Sequence, residues 1–198
     1  MDSHSDGGHC PAPGDERLNI FALVIYIPNP LGVFLDDLRR ELIPGCNPHA
    51  HVSVLPPRPL EVQWPLAADQ VRSLTDAWPP FEVELTEIDV FPITQVVYLR
   101  LGSGAAELSR MHAAMNERAL TFHEPYPYHP HVTLAQDIPR GELDSVRNTA
   151  LRRWREYTGD RRFRAERVSL VQNTVQKCWL DLAEYPLGVL TAPNATSR

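Results

Sequence analysis

The chain has 198 residues, 43% of them hydrophobic, and a formal net charge of −6. This length and apolar content fit one domain of ordinary size, and no apolar run is long enough to predict a transmembrane helix. Residues 17–190 hold 18 basic and 21 acidic residues, because four acids precede Arg17 and one arginine is Arg198. That balance argues against a protein that grips long nucleic acid through many phosphates, but it allows a small substrate or the end of an RNA.

Both ends of the chain are polar. Residues 1–17 are rich in Gly, His and Pro and lack the charged start and apolar stretch of a signal peptide. We therefore expect a disordered tail over 1–17, a single domain over 18–190, a second tail over 191–198 and a cytoplasmic location. The three cysteines are far apart and odd in number, which predicts free thiols rather than a disulfide framework or a metal clip.

The first half of the domain alternates strands and helices. An apolar run over 19–27 predicts a buried strand, and amphipathic spacing over 33–42 predicts a helix. Residues 50–55 should form a strand. A second helix over 66–78 and a partly alternating strand over 81–91 complete this half.

The second half repeats this order. The predicted elements are a strand over 96–101, a helix over 103–120 with Ser103 as its N-cap, a strand over 131–135, a helix over 141–157, a strand over 163–171 and a spare strand over 177–183. The short link before residue 96 favours antiparallel pairing with the preceding strand. The sequence thus predicts an α+β, bilobal fold: pseudo-two-fold, duplicated βαβαβ halves with mainly antiparallel sheets around a central cleft.

Each half carries one copy of the pattern His-x-His-Val-Ser/Thr-aliphatic, at 49–54 and 129–134. Side chains alternate along a strand, so His51 shares a face with Ser53 and His131 shares a face with Thr133. Two imidazoles facing each other suit in-line displacement at phosphorus, since one can take a proton from the attacking group while the other protonates the leaving oxygen. The two hydroxyls can donate to non-bridging phosphate oxygens.

This chemistry requires no metal and no nucleotide cofactor, in keeping with the lack of a P-loop or an acidic cluster. Further candidate substrate contacts flank the motifs. Tyr126 and Tyr128 precede the second motif and are placed to stack on a nucleobase, although loop aromatics often only pack. Arg58 follows the first motif, and Gln136 lies at the end of the second motif strand.

The paired motifs His51-Val52-Ser53 and His131-Val132-Thr133, with their proline-rich flanks, resemble the 2H phosphoesterase superfamily. Within it they are most similar to the bacterial 2'-5' RNA ligase-like and cyclic phosphodiesterase branch, over about residues 18–190. The resemblance implies one motif per lobe and metal-independent chemistry on 2',3'-cyclic phosphates or 2'-5' linkages. It further implies His51 and His131 as acid and base, with Ser53 and Thr133 as phosphate ligands. Many members carry a basic residue shortly after the second motif, where this chain has Leu134-Ala135-Gln136.

The leading hypothesis is a phosphoesterase that hydrolyses, or reversibly ligates, a nucleotide or RNA-end phosphodiester. It would act as a monomer on a nucleotide or RNA terminus, away from membranes and without a cofactor. One alternative is a non-catalytic nucleotide- or RNA-binding module on the same fold. Another is a metal hydrolase in which His49 and His129 join the second histidines as ligands. An arginine-rich stretch over 147–167 is either an RNA-binding patch or a solvated face. The sequence does not decide which histidine is the acid.

Overall fold

A computed structural model describes residues 16–188. Most of the predicted N-terminal tail, residues 1–15, and the predicted C-terminal tail lie outside these residues. The first strand begins at Arg17, the last residue of the predicted tail. In chain order the elements are β1 (Arg17–Tyr26), α1 (Leu31–Leu42), β2 (His51–Arg58), α2 (Trp64–Thr75), β3 (Phe81–Val90), β4 (Val97–Leu101), α3 (Ala105–Met115), a 3₁₀ turn (Arg118–Leu120), β5 (His131–Ala135), α4 (Leu143–Glu156), β6 (Arg162–Ala165), β7 (Arg167–Thr174) and β8 (Trp179–Pro186).

The strands form two four-stranded antiparallel sheets, which confirms the predicted α+β class. The first sheet has the order β2-β1-β7-β8, and the second has the order β5-β4-β3-β6. The two motif strands, β2 and β5, are edge strands of different sheets, and they contact each other. This arrangement brings the two copies of the motif to opposite sides of one cleft.

The two sheets do not correspond to the two halves of the sequence, because each sheet contains strands from both halves. Strand β3 ends the first half but pairs with β4 in the second sheet, while β7 from the second half pairs with β1 in the first. The predicted single strand over 163–171 was therefore wrong, since it is divided at Glu166 into two strands of different sheets. β6 alternates buried and exposed residues while β7 is mostly buried, and only tertiary packing selects their partners.

The start of α3 also differs from the prediction. Gly104, not Ser103, is the N-cap, with φ of 85°, and the Ser103 hydroxyl is 3.4 Å from Glu84 Oε2 instead. A Cβ at position 104 would lie 2.7 Å from the carbonyl oxygen of Glu82, so the close approach and the left-handed backbone both require glycine. The helix ends at Met115, and a separate 3₁₀ turn follows it.

One continuous apolar core joins the sheets and helices. Leu35 and Leu38 of α1 and Leu108 of α3 are fully buried in it. Helix α1 packs against β5, and α3 packs against β2, so each motif strand is supported by a helix from the other half of the sequence. Among residues 16–188, no helix is both long and apolar enough to cross a membrane.

Candidate active site

A cavity of about 800 Å³ lies between the two motif strands. His51 and Ser53 line one side of it, and His131 and Thr133 line the other. The alternation of side chains along β2 and β5 explains this placement, because Val52 and Val132 point the opposite way and are completely buried. The structure therefore brings together all four residues that the motif predicted.

The two histidine rings are oriented in the same way. Nδ1 of His51 lies 2.6 Å from the carbonyl oxygen of His49, and Nδ1 of His131 lies 2.7 Å from that of His129. A carbonyl oxygen only accepts, so each Nδ1 carries the proton and donates it. Each neutral ring then has its free lone pair on Nε2, the atom that can exchange a proton with a ligand.

This pairing gives a role to the first histidine of each motif that the sequence interpretation missed. His49 and His129 act through their main-chain carbonyl groups, two residues before the ring that each carbonyl orients. The equal spacing in both copies was the available signal. No group of three or more His, Cys, Asp or Glu within the described part of the chain is arranged to hold a metal ion.

Aromatic side chains hold His51 in place. Tyr26, its partner across the β1–β2 ladder, presents an edge at 6.4 Å and 87°. The same tyrosine stacks on the His49 ring at 3.7 Å and donates a 2.6 Å hydrogen bond to Asp181 Oδ1. Tyr26 is thereby held at its ring and at its hydroxyl, which restricts the rotation of the His51 ring beside it.

His131 has a comparable aromatic wall. Phe91 and Tyr98 stack on each other at 4.0 Å, and their rings meet the His131 ring at 5.0 and 5.3 Å with steep interplanar angles. The His129 ring contacts the same pair at 5.5 and 5.6 Å. The rings of both first histidines thus pack against aromatic side chains beside the cleft.

Burial shifts the protonation of both second histidines. It lowers the pKa of His51 to about 4, with smaller lowering contributions from Arg39, His49 and His131, while the bond to the His49 carbonyl acts in the opposite direction. Burial also lowers the pKa of His131, again opposed by its carbonyl partner. Desolvation disfavours the charged imidazole, so both rings are neutral near pH 7 in the free protein.

Tyr128 connects the two motifs. Its hydroxyl donates a 2.7 Å hydrogen bond to the carbonyl oxygen of Ser53, and its ring stacks on His112 at 3.8 Å. His112, on α3, donates from Nδ1 to the carbonyl oxygen of Val54 at 2.9 Å. Since His112 occupies one face of the Tyr128 ring, at most the other face is open to the nucleobase stacking predicted for this residue.

Arg58 is not placed as the predicted substrate contact. Its side chain is 2% exposed and does not line the cavity. The guanidinium forms an ion pair with Glu124 and donates to the Asn116 side chain at 2.7 Å and to the carbonyl oxygens of Leu120 and Pro56 at 3.0 Å. These bonds hold the segment that leads to the second motif against β2. The prediction of Arg58 as a substrate contact is therefore corrected to a structural role.

The other two candidates remain at the cleft. Tyr126 and Gln136 line the cavity, and Tyr126 is 52% exposed. The arginine-rich stretch lies elsewhere, and no arginine of 147–167 lines the cavity. Several of its members are used in ion pairs, among them Arg153 with Glu41 and Arg167 with Glu184.

Two antiparallel sheets whose edge strands each carry a histidine and a hydroxyl into a shared cavity define the class of 2H phosphoesterases. The sequence model of the 2'-5' RNA ligase superfamily matches residues 27–177, and the chain belongs to that superfamily. The match includes both motifs.

Two proteins with provisional phosphoesterase names are related in sequence. One from Geobacillus kaustophilus is 21% identical over 136 residues, which cover 64% of this chain and 74% of that protein. One from Oceanobacillus iheyensis is 23% identical over 79 residues, or 39% of this chain, and the match spans only 46% of that protein.

Solved structures share the fold at low sequence identity. E. coli LigT complexed with 3'-AMP superposes with a TM-score of 0.62 at 15% identity, covering 87% of this chain and 98% of LigT. TT0787 of Thermus thermophilus gives 0.61 at 17% identity, covering 87% of this chain and 100% of TT0787. At these identities the likeness concerns the fold.

Proposed function

We propose that this protein is a metal-independent phosphoesterase that acts on a nucleotide or RNA-end phosphodiester, with a 2',3'-cyclic phosphate or a 2'-5' linkage as its substrate. The observation that carries the proposal is the matched orientation of His51 and His131. Each donates from Nδ1 to a carbonyl oxygen, at 2.6 and 2.7 Å, and both line one cavity with Ser53 and Thr133. Paired acid–base groups with hydroxyl donors in the same cavity are suited to in-line displacement at phosphorus.

The two histidines have different roles in the hydrolysis of a cyclic phosphate. His51 has a pKa of about 4 and is neutral over the physiological range, so its Nε2 accepts the proton of the attacking water. The new P–O bond forms as the bond to the ribosyl leaving oxygen breaks, and His131 Nε2 gives its proton to that oxygen. The negative charge of the bound phosphate favours the protonated form of His131. In ligation a 5'-hydroxyl attacks in place of water. His51 accepts the proton of that hydroxyl, the P–O bond to the 5'-oxygen forms, and the bond to the ribosyl leaving oxygen breaks as His131 protonates it.

The superfamily and its solved members support this class of ligand. LigT has been crystallised with 3'-AMP, with phosphate and with ATP, and the related sequences carry provisional phosphoesterase names. A cavity of about 800 Å³ lies within the size range of small-molecule binding sites. The aromatic rings beside it supply surfaces for a base, and the motif hydroxyls supply donors for a phosphate.

The test is a substrate screen with chelator present. The wild-type protein, His51→Ala and His131→Ala are assayed on 2',3'-cyclic nucleotides and 2'-5'-linked dinucleotides in EDTA. Each substitution should lower turnover by about 10²–10⁴-fold, because each removes one proton-transfer group. His123→Ala is the matched control, since that exposed histidine does not line the cavity. Near wild-type hydrolysis by both motif variants, or chelator-sensitive activity with bound zinc, would refute the proposal.

A further inference from the structure

Helix α1 places a second kind of polar group in the cavity. Arg39 lines it, and within residues 16–188 only Arg39 and Lys177 bring a lysine or arginine side chain to its wall. Glu124 is the only carboxylate among the described lining residues, and it is paired with Arg58. The cavity wall thus has excess positive charge, and its less exposed cation is Arg39.

The Arg39 guanidinium forms no hydrogen bond through its Nε within the described chain. This Nε is buried, and no ion pair joins the guanidinium to a carboxylate there. Cys46 contacts the main-chain carbonyl of Arg39, at 3.5 Å, and not the guanidinium. Burial lowers the pKa of Arg39, and nearby Asp36 and Cys46 offset this only in part. A buried cationic donor that finds no acceptor within the fold is costly to maintain unless it serves a ligand.

The contrast with Arg58 shows what a structural arginine looks like in this protein. The Arg58 guanidinium bonds to Glu124, to Asn116 and to carbonyl oxygens, which together use its donors on the protein. Arg39 makes none of these bonds and is close enough to His51 to lower the pKa of that histidine. Arg39 is therefore a cation beside the candidate base, with its donors available.

We propose that Arg39 is an anion-binding residue of this site, whose guanidinium donates to a phosphate oxygen of the ligand held between His51 and His131. The location of that phosphate rests on the function proposed above. A guanidinium presents a planar set of N–H donors that fits phosphate, and its bonds to an anion are charge-assisted. The same charge adds to the effect of burial on His51, so one side chain both holds the phosphate and favours the base form of its neighbour.

Equilibrium binding of inorganic phosphate tests the assignment without any turnover. Calorimetry at about pH 7 with EDTA compares the wild-type protein with Arg39→Gln, which keeps an amide donor but loses the charge. Phosphate should bind Arg39→Gln about 10- to 100-fold more weakly. Arg39→Lys keeps the charge without the planar set of donors, and its phosphate affinity should lie between those of the wild type and Arg39→Gln. Arg40→Gln is the control, because Arg40 is exposed on the same helix and paired with Asp37, and its affinity should match the wild type.

A readout on the wild-type protein covers the case in which Arg39→Gln does not fold. The Nε–H resonance of Arg39, assigned by its loss in Arg39→Lys, should shift when phosphate is added. An unmoved resonance, a folded Arg39→Gln with wild-type phosphate affinity, or a wild-type protein that binds no phosphate would each overturn the assignment. If phosphate binding depends on Arg39 while every candidate substrate stays intact, the assignment stands and the proposed reaction fails.

Discussion

The Tyr128 hydroxyl donates a 2.7 Å hydrogen bond to the main-chain carbonyl oxygen of Ser53. Tyr128 lies three residues before His131, so this bond joins the first motif strand to the segment that leads into the second. Ser53 lies on an edge strand, and the tyrosine supplies a donor to that strand from the other half of the chain. The separation of the two motifs is therefore set in part by one hydroxyl group.

Replacing Tyr128 by phenylalanine removes that group and keeps the ring that stacks on His112. We expect the free energy of unfolding to fall by about 1 kcal/mol, since a partly buried carbonyl group loses its partner. We also expect kcat to fall more than KM changes, because the two motifs are held less accurately. Urea unfolding and steady-state kinetics measure the two effects. Tyr157→Phe is the control, because Tyr157 does not line the cavity. Equal kcat values for the two variants would contradict a role of the Tyr128 hydroxyl in holding the two motifs.

His51 should make stability depend on pH. Its pKa is about 4 in the folded protein, below the value of about 6.5 expected when the chain is unfolded. The unfolded state therefore binds the proton more readily, so the contribution of His51 is complete above about pH 6.5 and is lost as pH falls towards 4. The loss is on the order of 2 kcal/mol. Urea unfolding at about pH 7.5 and 4.5 should show a smaller decrease for His51→Gln than for the wild type; equal decreases would contradict this.

The pH profile of kcat/KM should reflect both histidines. The low-pH limb follows protonation of His51, whose pKa is about 4. The high-pH limb follows deprotonation of His131, whose pKa burial holds below its usual value of about 6.5. The proposed mechanism requires neutral His51 and protonated His131, so kcat/KM should be greatest between the pKa values of the two histidines and decline as the pH rises further. Arg39→Gln should move the low-pH limb upward, since a cation that disfavours protonated His51 is gone. An unmoved limb would show that Arg39 does not influence the base.

Arg58 should matter for stability rather than for substrate affinity. Arg58→Met leaves the mostly buried carboxylate of Glu124 without its arginine partner, which should lower the free energy of unfolding by about 3 kcal/mol. Arg40→Met, which breaks an exposed pair on α1, should cost less than about 1 kcal/mol. Chemical denaturation gives both values, and KM of the folded Arg58 variant should stay near that of the wild type. A stable variant with a large rise in KM would restore Arg58 as a substrate contact.

Much of the site could be predicted from the sequence because its geometry is local. The period of two along a strand places His51 with Ser53 and His131 with Thr133, whatever the strands pair with. The second motif strand was predicted over 131–135, as β5 has it. The proline-rich breaks likewise separated most helices and strands, so the α+β class followed from the order of elements.

Other features depend on segments that are remote in sequence. Arg39 and Arg58 are both arginines next to apolar residues, yet one lines the cavity and the other is buried against Glu124. No local pattern distinguishes them, because the surroundings of a charge are set by whichever chain segments pack around it. The crossing of the chain between sheets at Glu166 has the same origin. The sequence by itself determined the two His and Ser/Thr pairs and the kinds of element that carry them. Only the tertiary structure decided which strands pair, which arginine lines the cavity and how each imidazole is oriented, because these depend on long-range packing.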